Sequence, residues 1–378
     1  MSDRNFVHRD SEVVSDLVPM PPGRGGWGKA LPVGAREPAE FSADCQPPKR
    51  YADVEYALRN VHLVISSSFA RAEPRLRALH YMFGLSGMLA ESIGTRRNVA
   101  SGSGKRHTEG AQRLLTTARW DEAGARARLR DLVLEKAGPG GGLYVIEASF
   151  AKRGSSAVAT ERQCTVENGW IESCQSAILM FYGAVDGSLF LVDIDLYVPP
   201  SWVTSADRRR RAKMPPHIGY RSKSRIARDM VNRATTLGLH PSRVAVSLFC
   251  PEKSSLLGWL QSRRIQYLAA LTAGEFRDIA TVRSLMPAGM ILADRPAAAR
   301  GSAAQYPMAA YFRAASRRPL ADSDMNRLIA DVRRLDLRWR LIRRQIRIDH
   351  YEVRSWHGWQ RHMTLAMAVQ IALQLAGH

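Results

Sequence analysis

The hydrophobic period of this chain changes near residue 138. Before that point, across residues 51–136, apolar positions recur at helical spacing: Val54, Leu58, Val61 and Val64 share one face, and Leu76, Leu79, Met82 and Leu85 repeat it after Pro74. A Ser-Gly-Ser-Gly run at 101–104 interrupts the pattern, and Leu114, Leu115, Leu129, Leu132 and Leu134 resume it. This stretch is expected to form an N-terminal helical domain, suited to packing, DNA binding or dimerisation. Past the Gly-Pro-Gly-Gly-Gly loop at 138–142 the texture is that of strands. Residues 143–150 form a β-branched and aromatic run closed by Lys152, Arg153 and Gly154, which reads as a buried central strand ending in a basic turn. Two more apolar runs, 176–184 and 188–198, flank Asp186-Gly187, a hairpin signal.

A helix is expected over 222–237, with Ile226, Met230 and Ala234 on one side and Gly238 as its stop. Next come a strand at 244–249, a helix at 254–262 and a strand at 265–271. Strands alternating with helices in this order predict an α/β fold: a mixed sheet with helices on its faces. Residues 274–322 are poorly periodic apart from strand-like runs at 290–293 and 308–314. A long helix follows from about residue 323, in which Leu328, Val332, Leu335, Trp339, Ile342 and Ile346 alternate spacings of four and three. Arg333, Arg340, Arg344 and Arg347 gather on its other side, as a solvated face or a phosphate-binding stripe. A terminal helix at 361–375 is apolar nearly all round and therefore expected in the core.

Residues 1–50 lack a sustained apolar period and carry Pro and Gly clusters, so they read as a mobile arm. The pattern divides the chain into that arm, the helical domain at 51–136, a sheet region at 137–273, an abbreviated insertion at 274–322 and C-terminal helices at 323–378. With 378 residues, 45% of them hydrophobic, there is material for a large core. The formal charge is +20, from 55 Lys and Arg against 35 Asp and Glu, which points to a polyanionic partner, nucleic acid before membrane. Cys45, Cys164, Cys174 and Cys250 show neither zinc-finger nor disulfide spacing and read as reduced core thiols. Trp170, Trp202, Trp259 and Trp356 read as core aromatics. The first residues show no leader pattern, and the most apolar run, 363–376, is too short to span a bilayer. Together these features fit a cytoplasmic, nucleoid-associated protein.

Several segments resemble the DDE superfamily endonucleases, the insertion-sequence transposases of bacteria. They are Phe69-Ala-Arg-Ala-Glu-Pro-Arg75, Gln112-Arg-Leu-Leu115 with Trp120-Asp121, Cys174-Gln175, Leu196-Tyr-Val-Pro199 with Trp202, and the block from Asp349 through Trp356, Trp359, Arg361-His362 and Thr364 to Met367. The resemblance spans about residues 65–375. It implies an RNase H-like core, preceded here by the helical domain. It also implies DNA cutting and joining with two divalent metals held by an Asp on the first strand, an Asp on the fourth and a Glu on the late helix. Two cations a few ångströms apart need several anionic oxygens to hold them.

Aligned on that pattern, the first ligand position falls on Ile146, with Glu147 beside it, and the second on Ser247. The third falls on Asp336, with Arg343 seven residues later where the family places a Lys. Alternation along a strand puts Glu147 on the face opposite Ile146. Two of three expected carboxylates are thus replaced, leaving Glu147 and Asp336 as remnants. The expectation is a domesticated, catalytically inactive transposase relative with no cofactor, Mg²⁺ entering only with residual nuclease activity. It would bind DNA through Arg208, Arg209, Arg210, Arg211, Lys213, Arg333, Arg340, Arg344 and Arg347, as a monomer or homodimer. Two alternatives stay open. One is a repurposed enzyme using Glu147, Asp193, Asp195, Asp336, Glu352, His217, His350, His357 and His362 around the old cleft; the other is a metal nuclease still active through Glu147 and Asp336.

Overall fold

The computed structural model of the chain describes residues 49–88, 104–167, 169–250, 252–271, 290–294, 311–315 and 322–377. Among the described residues four helices come first: α1 (Lys49–Ile65), α2 (Ala72–Leu85), α3 (Gly104–Thr116) and α4 (Glu122–Ala137). Asp121 caps α4 by accepting the Gly124 N–H at 2.8 Å, satisfying one of the donors that a helix start leaves open. The arm expected at 1–50 lies outside the described residues, apart from Lys49 and Arg50 at the head of α1.

The sheet then forms from β1 (Gly142–Ala151), β2 (Glu161–Cys164), β3 (Ile171–Gly183) and β4 (Leu189–Leu196). Short helices α5 (Pro200–Thr204) and α6 (Ala206–Arg211) lead to α7 (Lys223–Thr236), β5 (Val244–Ser247), α8 (Lys253–Ser262) and β6 (Tyr267–Leu271). Two strands of the poorly periodic region follow, β7 (Met290–Asp294) and β8 (Tyr311–Ala315), and then α9 (Asp322–Gln345) and α10 (Trp356–Leu375). Strand order is β2-β3-β1-β5-β6-β8-β7, and β4 also pairs with β3. The centre of the sheet is mixed: β1 is antiparallel to β3 but parallel to β5, and β5 is parallel to β6. The β3–β4 hairpin turns at Gly187, whose φ of +90° is left-handed backbone that suits glycine.

Helices cover both faces. On one, Val145, Val244, Val246 and Ala269 meet the apolar sides of α7 and α8, including Met230, Leu256 and Leu260. On the other, Ala245, Leu268 and Ala270 meet Ile329 and Val332 of α9. Residues 51–136, expected as a helical domain, share one hydrophobic core with the sheet through α10, which packs against α1, α2, α3, α4 and β4. Gln370 of α10 accepts the Leu191 N–H and donates to the Leu189 carbonyl, so the β4 edge is closed by a side-chain amide.

Three expectations change. Cys164 is exposed, because β2 is a short strand with alternating exposure, while Cys174 and Cys250 are buried. Trp170 is 70% exposed beside the β2–β3 turn instead of in the core. The long helix ends at Gln345, so Arg347 lies in the turn beyond it, with φ +45°, and is not part of the helical stripe. No helix among the described residues is long and apolar enough to cross a membrane.

Candidate functional site

Side chains alternate along a strand, so the cross-strand register of β1 decides what faces what. Ile146 stands opposite Ser247 of β5 on one side and Leu179 of β3 on the other. Register partners point to the same face, so Ile146, Ser247 and Leu179 form one row across the centre of the sheet. Ile146 is 3% exposed and Ser247 8%. This row offers an apolar butyl group, a hydroxyl and a second apolar side chain.

Glu147 points to the opposite face. Its carboxylate accepts from Lys223 Nζ at 2.5 Å, from Ser176 Oγ at 3.0 Å and from the Phe249 N–H at 3.3 Å. Lys223 is the first residue of α7, positioned by Ser222, whose hydroxyl accepts the Arg225 N–H. The same ammonium lies 5.1 Å from the Tyr197 ring centroid. With a buried carboxylate that already has a cation and two hydrogen-bond donors, the arrangement is an internal ion pair that fastens α7 to the sheet.

The late helix lies on the face of Ile146. Trp339 meets the Phe181 ring edge-on at a centroid distance of 5.9 Å, and Phe181 is the register partner of Tyr144. Further along α9, the Arg343 guanidinium lies 5.2 Å from the Phe150 ring centroid. It donates to Asp349 at 2.7 Å, to Glu167 at 2.6 Å and to the Ser149 carbonyl at 2.7 Å. Burial alone would lower its pKa, but Asp349 and Glu167 more than offset that and raise it. Asp336 lies on α9 seven residues before Arg343. The structure therefore separates the two remaining acids, with Glu147 on the α7 face of the sheet and the helix carrying Asp336 on the other.

Many basic candidates are occupied internally. Arg209 donates to the carbonyls of Pro215, Pro216 and Ile218 and so fixes the loop after α6. Arg210 and Arg211 share Asp207, both at 2.6 Å, and Arg208 reaches Ser201 at 3.2 Å. Lys213 is exposed, at φ +50°. On α9, Arg344 is exposed, whereas Arg333 and Arg340 are half-buried.

The other acids and histidines do not converge. Asp193 is buried between Arg233, at 2.8 Å, and Arg130, at 3.7 Å. Asp195, whose pKa burial raises against the pull of Arg221, pairs with Arg221 at 2.9 Å. His362 is fully buried in α10, with Nε2 2.8 Å from the Ile348 carbonyl and Nδ1 2.8 Å from the Tyr81 hydroxyl. His357 pairs with Glu122 at 2.7 Å, and His217 and His350 are exposed. Sequence reasoning missed Lys223, because its partner is 76 positions away and only the placement of α7 brings them together.

The family profile described as DDE superfamily endonuclease matches residues 65–290, which include β1 to β6 and α7 and α8. No curated protein matches the chain. A mixed sheet with β1 at its centre, parallel neighbours β5 and β6, an antiparallel hairpin outside and helices on both faces is the RNase H-like arrangement expected of that family. Profile and fold together place this chain in the DDE superfamily of transposase-like endonucleases.

Proposed function

We propose that this DDE-superfamily protein is a domesticated scaffold that binds DNA through basic surfaces and carries no nuclease activity of its own. The observation that supports this reading best is the pairing of Ile146 with Ser247 across β1 and β5. DDE nucleases generally use Mg²⁺. The residues here do not fit such an ion pair: Ile146 has no lone pair to give, Ser247 offers a neutral hydroxyl, and the Glu147 carboxylate faces the other side of the sheet in an ion pair with Lys223. Mg²⁺ favours carboxylate oxygens in near-octahedral geometry, and Asp336, the acid left at an expected ligand position, supplies by itself too little negative charge for two ions. The family acts on nucleic acid, and a formal charge of +20 supports a polyanionic partner.

Two measurements test this. Supercoiled plasmid incubated with the purified protein and Mg²⁺ or Mn²⁺ is expected to stay intact, and nicking abolished by Asp336→Asn would overturn the inactive reading. Duplex affinity titrated against salt is expected to fall linearly on logarithmic axes as phosphate contacts release counterions. Salt-independent affinity would remove the DNA reading.

A further inference from the structure

The α7–α8 face lies across the sheet from the row of Ile146 and Ser247. Residues 221–233 and 252–264 contribute eight basic residues against two acids to it. Three of the eight are turned inward: Lys223 onto Glu147, Arg233 onto Asp193, and Lys253 onto the carbonyls of Leu248 and Ala270. Of the two acids, Asp229 is held by Arg225 at 2.9 Å and Arg221 at 3.7 Å, and Glu252 is exposed at the start of α8.

Trp259 stands half-buried on this face. The Arg228 guanidinium lies 6.0 Å from its ring centroid and that of Arg263 5.8 Å. Neither arginine has a carboxylate partner among the described residues. A helix dipole favours cations at the end of α8 and so accounts for Arg263, but not for Arg228, which sits midway along α7. Each contact with the indole stabilises the fold only modestly, and together they hold two donors in place, Arg263 exposed and Arg228 half-buried. Guanidinium stacked on an aromatic loses less freedom when it meets a phosphate than a solvated lysine does.

From this geometry we infer that Arg228, Trp259 and Arg263 form a nucleic-acid contact site, gripping backbone phosphates on the layer opposite the former catalytic row. The inference rests on the nucleic-acid reading above and gives it a location. Both cations lie within about 6 Å of one ring, so they are at most roughly 12 Å apart. At about 3.4 Å of axis per nucleotide, that reach covers about three nucleotides of one strand. Nucleic acid held there runs behind the sheet, away from Ile146 and Ser247, so the site retains nucleic acid without presenting it for cleavage.

The test uses the full chain, a fluorescent 30-base-pair duplex as probe, and salt from about 50 to 200 mM. Arg228→Gln with Arg263→Gln is expected to weaken binding and to flatten the slope of log affinity against log salt by about 1.8, since each duplex phosphate contact contributes about 0.9. Trp259→Leu, which leaves both charges but removes their platform, is expected to weaken binding with a smaller change of slope. A double variant that keeps the wild-type slope while the wild type binds overturns this site and leaves the DNA reading standing. Wild-type protein that does not bind the duplex overturns both. Equal losses toward poly-glutamate and the duplex would mark an unselective cationic patch and also overturn the site.

Discussion

Ile146 and Ser247 are register partners on adjacent parallel strands, and both belong to the face that α9 covers. An apolar side chain beside a neutral hydroxyl packs without the repulsion that two carboxylates in the same row would bring, and both residues are buried.

Restoring the acids should therefore make the fold depend on metal. Ile146→Asp buries a charge at a 3% exposed position and is expected to cost about 3 kcal/mol or more. In Ile146→Asp with Ser247→Asp, millimolar Mn²⁺ is expected to recover much of the lost melting temperature while leaving the wild type unchanged. Thermal unfolding with and without Mn²⁺ decides it: equal metal response in both proteins would show that the row cannot gather ligands.

The Glu147–Lys223 pair calls for a double-mutant cycle. Lys223→Met alone leaves a carboxylate that is almost fully buried with hydrogen bonds but no cation, at an expected cost of about 3 kcal/mol. Glu147→Gln combined with Lys223→Met is expected to cost less than the sum of the single changes, because no uncompensated charge remains. Urea unfolding of the four proteins measures the coupling. Additive costs would mean that the pair does not act as one unit.

His362 gives the fold an acid-sensitive element. The Ile348 carbonyl can only accept, so Nε2 carries the proton and Nδ1 accepts from Tyr81. Burial lowers its pKa from 6.5 to about 3. The folded value is the depressed one, so the contribution of the neutral ring is complete above pH 6.5 and is lost as pH falls toward 3. Subtracting the unfolding free energy of His362→Gln from that of the wild type should give a difference that shrinks across that window. A flat difference would exclude His362 as the titrating group.

Gly141 is predicted to tolerate no side chain. A Cβ there would stand 2.3 Å from the Gly183 carbonyl oxygen and 2.5 Å from the Tyr182 ring, while the Gly141 N–H donates to the Tyr182 hydroxyl at 2.9 Å. Gly141→Ala is expected to destabilise the protein by about 2 kcal/mol or more, since backbone must move to admit it. Gly154→Ala serves as the comparison: it has open space around it, although its φ of +78° also carries strain. A cost at Gly141 no larger than at Gly154 would count against the packing argument.

The central strands were legible because their apolar runs are bounded by Gly, Asp-Gly and basic turns: β4 and β5 lie within the expected runs, β1 extends one residue beyond its run at each end, and β3 starts earlier, at Ile171. β2 left no such signal: it is four residues long, polar and half-exposed. The end of α9 was hidden for the opposite reason. The apolar period continues to Ile346, which is fully buried, although the helix stops at Gln345. The positions of Ile146 and Ser247 follow from the family resemblance, and the register shows the two side by side. The company Glu147 keeps could not, since Lys223, Ser176 and the Phe249 amide come from three distant segments. Trp259 read as a core aromatic because local pattern does not reveal that Arg228 of α7 and Arg263, just past the end of α8, lie near its ring.

The terminal helix has a consequence for how this protein is made. α10 packs against α1, α2, α3 and α4 and closes the edge of β4, yet it follows those helices by more than two hundred positions. During translation the early helices and the hairpin leave the ribosome with their apolar faces and one strand edge uncovered, and nothing can cover them until residues 356–375 emerge. Closure of this core therefore waits for that helix, and nascent chains stalled before Trp356 should be clients for chaperones or proteases.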